Sequence, residues 1–152
     1  MIGKPKTIIA LILLLLSLSV IFTFWGSYSL SLLLDIPSWP NDIPEIETIL
    51  PIIHFGVTIS TIVWFVFAGF FVIFSYGALK KDHWVWTTGI ILSTIFLAVF
   101  ALMLTSFIIN ALIFLSEFSV VGLVTVVLAF IADLGIIFFL TRPNTRIYFE
   151  VT

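Results

Sequence analysis

The sequence predicts an all-α integral membrane protein: a four-helix transmembrane bundle, connected up-down, with both termini in the cytoplasm (N-in/C-in). Three observations predict it. The chain is 62% hydrophobic and 9% charged, with a mean hydropathy of +1.33, a composition no soluble domain approaches. Four apolar runs reach the roughly 20 residues a helix needs to cross the hydrocarbon core, giving helices over about 7–34, 50–79, 84–109 and 119–141 in a single transmembrane domain, 1–152. Finally, every basic residue falls on one side of that reading. Lys4 and Lys6 precede the first run, Lys80 and Lys81 separate the second from the third, and Arg142 and Arg146 follow the fourth. The positive-inside rule places those segments in the cytoplasm.

The first helix follows Lys4 and Lys6 as a signal peptide would. A secretory apolar region spans about 7–15 residues and ends at a small-residue cleavage site. Here the run continues through Phe22, Trp25 and Leu34, so an uncleaved anchor is expected. The outer loop 35–49 follows. Pro37, Pro40 and Pro44 exclude a long helix there, and Ile36, Trp39, Ile43 and Ile46 alternate with acids as in a segment resting at headgroup level. It reads as a membrane-hugging connector; a docking surface for a basic partner, built on Asp35, Trp39, Asp42, Glu45 and Glu47, is the sharper alternative.

The second run is longer than a span requires, so it is expected to tilt or protrude. Lys80-Lys81-Asp82-His83 is a tight turn, and Trp84 and Trp86 anchor the start of the third helix. That helix is expected to end near Asn110, with Leu112–Leu115 lying in the outer interface. The fourth ends where Arg142 snorkels and Pro143 stops it, and Tyr148-Phe149 then fold back onto the interface. In lipid all these runs should be helical despite their β-branched residues, because no backbone group can be left unbonded.

Few residues invite chemistry. Absent cysteine, there are no disulfides, thiolate ligands or thiol redox steps, nor the cysteine pairs of tetraspanin or claudin ectodomains, nor the CxxC of vitamin-K-epoxide-reductase-like bundles. No phosphate-binding Gly loop, nucleophile elbow or HExxH occurs. His54 and His83 stand at opposite ends of the second helix, about 40 Å apart, so they cannot share a haem or a metal ion; no cofactor is expected. Asp133 stands out. It lies about 12 Å inside the basic end of the fourth helix, where an acid costs about 2.5–3.5 kcal/mol on insertion scales and must face the bundle interior. Matching depths along the helices puts Ser93 and Thr94 near its level and Ser17 a little further out. A protonated or hydrogen-bonded carboxyl among those hydroxyls is the economical arrangement. Its structural role would be helix–helix glue or pairing with a cationic subunit; its functional role would be a proton or cation relay. Transport paths usually align several ionisable groups, and this chain offers one.

The tail Phe139-Leu140-Thr141-Arg142-Pro143, followed by Tyr148-Phe149, resembles the "LTRP…YF" ending of small four-helix prokaryotic membrane proteins. The resemblance spans about ten residues and implies no activity. Such proteins commonly carry an amide near the position of Asp133, so the acid here departs from their pattern.

The expected function is that of a non-enzymatic accessory or scaffold subunit of a larger membrane assembly. The alternative is a small oligomeric transporter or channel with Asp133 as its relay. Expected partners are the lipid bilayer and other membrane subunits or further copies of the chain, with no nucleic acid. The expected location is the cell membrane.

Overall fold

The computed structural model describes residues 6–35, 44–113 and 120–150. Five helices follow in order: α1 (Lys6–Asp35), α2 (Pro44–Lys80), α3 (His83–Ile113), α4 (Val120–Leu140) and the short α5 (Pro143–Tyr148). No strand occurs among the described residues. The first four each contain a stretch long and apolar enough to cross a membrane, Lys6–Asp35, Ile49–Lys80, His83–Ile109 and Val120–Leu140, as a multi-pass membrane protein requires.

Some ends differ from expectation. α2 begins at Pro44 rather than near residue 50. Proline at a first helical position sacrifices only an N–H that has no helical acceptor anyway, so Glu45 and Glu47 stand on a helix, not in a loop. Asp35 closes α1, while Trp39 and Asp42 lie outside the described residues. α3 runs through Asn110 to Ile113; without Gly or Pro to break it, the helix keeps its backbone groups paired. The expected interface segment begins inside that helix and continues outside the described residues.

The chain forms two compact units, one holding Met1–Leu18 and Phe71–Thr152, the other Ser19–Phe70. In the first, α3 and α4 pack antiparallel along stripes spaced three and four residues apart. α4 buries Gly122, Val126, Ala129, Ala132, Asp133, Ile136 and Leu140; α3 buries Val85, Gly89, Ser93, Phe96 and Phe100. Gly89 sets how closely they approach, since a Cβ there would come 2.7 Å from Leu140 Cδ1 and 2.9 Å from Phe74 Cζ. Gly135 does the same for α1, where a Cβ would meet Leu14 Cδ1 at 2.8 Å. Small residues thus let helix backbones close up where lipid supplies no hydrophobic drive.

The second unit is an α1–α2 pair with an aromatic core. Phe22 stacks on Trp64 with ring centroids 5.4 Å apart and meets Phe67 at 5.7 Å. Ser19 donates its hydroxyl to the Ala68 carbonyl at 2.9 Å, and Gly26 lies flat against the Phe65 ring.

Candidate functional site

Helix ends leave backbone carbonyls without helical donors, and the first unit meets two of those needs with aromatic side chains. At the end of α2, Lys81 takes a left-handed conformation (φ 63°) and Asp82 N–H donates back to Gly77 O at 3.1 Å. The next carbonyl, Ala78 O, accepts from the Tyr148 hydroxyl at 3.2 Å. At the end of α4, Leu140 O accepts from the Trp86 indole at 2.9 Å. Tyr148 and Phe149 do fold back, and both are buried against the protein. They do so because α5 offers a donor and a ring to a helix end that lacks them. Burial pushes the Tyr148 phenol above its ordinary range.

These contacts bring the α2–α3 turn and the tail together, so two of the three basic segments share one end of the unit. Its cations rest on rings: Lys81 over Tyr148 at 5.1 Å, Arg146 over Trp86 at 5.5 Å, Arg142 over Phe138 at 4.3 Å and Lys80 over Tyr76 at 4.7 Å. Each such contact contributes about 0.5–1 kcal/mol at exposed positions. These cations therefore anchor the end more than they define a site.

Asp133 sits deeper. Its exposure is 0%, and neither carboxyl oxygen has a hydrogen-bond partner among the described residues. Ser93, 3% exposed on α3, stands close enough to act on the carboxyl, but the pair does not complete a hydrogen bond. The other two hydroxyls expected beside Asp133 point elsewhere. Thr94 is exposed and donates to Ile90 O at 2.7 Å; Ser17 is exposed and donates to Leu13 O at 2.7 Å. Of the three hydroxyls, Ser93 alone is buried. Ser75, which depth matching overlooked, is buried in the same unit but donates to Phe71 O of its own helix at 2.8 Å.

His54 and His83 are both exposed. Among the described residues no three His, Cys, Asp or Glu side chains cluster as a metal ion needs. Among the described residues the architecture defines a class, an all-helical protein with four helices long and apolar enough to span a membrane, in which an unpartnered acid is enclosed by the protein itself. No family model, curated protein or solved structure matches this chain.

Proposed function

We propose that the protein is a non-enzymatic accessory or scaffold subunit of a larger assembly in the cell membrane, with both termini cytoplasmic. The observation that carries this reading is how unevenly the helices are packed. Residues 49–60 of α2 include no buried side chain, and neither do residues 101–109 of α3. Lipid can cover Ile52, Phe55, Leu102 and Ile108, which are 70%, 68%, 72% and 56% exposed. It satisfies less well the exposed His54 and Ser106 of the same stretches, which a neighbouring helix would pack and hydrogen-bond. The orientation rests on the positive-inside rule and on the meeting of the α2–α3 turn with the tail.

The alternative, a transporter or channel with Asp133 as relay, needs a polar path through the protein. Thr94 and Ser17 face away from Asp133, and the acid is closed off on every side, which favours the subunit reading. Native mass spectrometry after gentle extraction tests it. A stoichiometric foreign subunit supports the proposal; a lone monomer or a pure homo-oligomer overturns it and brings Asp133-dependent flux, assayed with Asp133→Asn, to the front.

A further inference from the structure

Buried polar atoms in folded proteins almost always have hydrogen-bond partners, so an enclosed carboxyl with none calls for a ligand. Asp133 has both oxygens buried and unpartnered, and the buried Ser93 hydroxyl stands close enough to act on the carboxyl. Charge compensation is missing as well. Lys6 opens α1, Lys80 ends α2, Lys81, Asp82 and His83 lie in the turn before or at the first residue of α3, and Arg142 follows α4. The segments of α1, α2 and α3 in this unit therefore bring no charged group to the depth of Asp133. A bare carboxylate enclosed this way carries a large desolvation penalty that nothing repays.

Two kinds of ligand could remove that charge. Hard metal cations take about six oxygens, and the site offers three: two from Asp133 and one from Ser93. Ser75, Thr94 and Ser17 do not complete the set, because the last two face away and Ser75 is turned onto its own helix. A proton asks for much less, one carboxyl oxygen to hold it and one acceptor to receive the O–H. We infer that Asp133 and Ser93 form a buried proton-binding site in the α3–α4 seam, with the Asp133 carboxylic acid donating to Ser93 Oγ. Releasing the proton leaves an anion in the seam, so α3 and α4 must part or admit water as it leaves. The bound proton thereby holds the two helices together. This site is independent of whether the protein is an accessory subunit.

The test uses the full chain in lipid bilayers with its aspartates carrying ¹³C at the side-chain carboxyl. The sequence has four: Asp35, Asp42, Asp82 and Asp133. At neutral pH one carboxyl signal should lie at the position of a carboxylic acid. Asp133→Asn should delete it, and Ser93→Ala should move it by removing its acceptor. If Asp133→Asn does not fold, Asp35→Asn, Asp42→Asn and Asp82→Asn give the assignment by elimination, since none should remove the signal. Four carboxylates at neutral pH in the folded protein would overturn the inference. So would an acid signal that Ser93→Ala leaves in place.

Discussion

Trp86→Phe tests whether the aromatic donors hold the basic end together. The indole Nε1–H lies 2.9 Å from Leu140 O, and Leu140 is completely buried. A phenyl ring keeps much of the packing but cannot donate, so it leaves a buried carbonyl without its partner. Stranding a buried polar group costs about 1–3 kcal/mol, against about 0.5–1.5 for an ordinary hydrogen bond whose partners reach water. The Arg146 contact over the same ring contributes about 0.5–1 kcal/mol, part of which a phenyl face retains. The expected loss is therefore about 1.5–3 kcal/mol, most of it from the carbonyl. Trp84→Phe is the control: Trp84 is 41% exposed and its indole makes no hydrogen bond to a described residue, so it should cost less than about 1 kcal/mol. Reversible unfolding in mixed micelles, followed by circular dichroism so that the lost fluorophore does not matter, reads both. A Trp86→Phe loss under about 0.5 kcal/mol, or one no larger than that of Trp84→Phe, would refute the argument.

Tyr148→Phe should cost about 1 kcal/mol, the worth of its hydroxyl on Ala78 O, in the same unfolding assay. The phenol donates only while protonated and its folded value is raised, so this contribution is complete below the unfolded value of about 10. It should fade as pH rises through the folded value, and Tyr148→Phe should show no such loss. Gly89→Val pushes Leu140 and Phe74 apart and should cost about 1–3 kcal/mol or more. Gly69→Ala, whose Cβ would meet nothing within 4 Å, should be neutral or stabilising by up to about 1 kcal/mol. The chain has no cysteine, so Asn144→Cys, at an exposed position in α5, gives a clean topology probe. An impermeant maleimide should label it only once the cytoplasmic face is opened, and labelling of sealed cells would overturn the orientation.

The four long helices were legible because the bilayer removes the usual ambiguity: an apolar run in lipid has only the helix open to it, whatever its Val, Ile and Phe prefer in water. The burial of Asp133 was legible for a related reason, since the insertion cost forces an acid inward wherever it lies. Its neighbours were only partly legible. Depth follows from counting residues, but successive residues on a helix point about 100° apart, so counting cannot separate Ser93 from Thr94. The rotation depends on which stripe of α3 carries Gly89 and Phe96, and that stripe emerges only when α4 is placed against it. The tail shows the same limit. That Tyr148 and Phe149 return was readable, but their destination depends on the open carbonyl of Ala78, which belongs to an α2 end the linear sequence does not bring near them.

The basic end of the first unit contrasts with other stretches of the described helices. There, Tyr148 and Trp86 meet the ends of α2 and α4, rings carry the cations, Gly89 and Gly135 bring the helices close, and Leu11, Leu15, Phe74 and Leu140 fill the interior. That region is packed by the chain's own residues. Residues 49–60 of α2 and 101–109 of α3 include no buried side chain, yet they expose His54 and Ser106, which a neighbouring helix would pack. A transporter would align several ionisable groups along an internal path, whereas among the described residues the buried side-chain oxygens without a partner belong to Thr7, Asp133 and Thr145, of which Asp133 alone is ionisable. An assembly subunit has the opposite economy. It folds around its own closed end and leaves the other stretches of its helices for another membrane protein to complete.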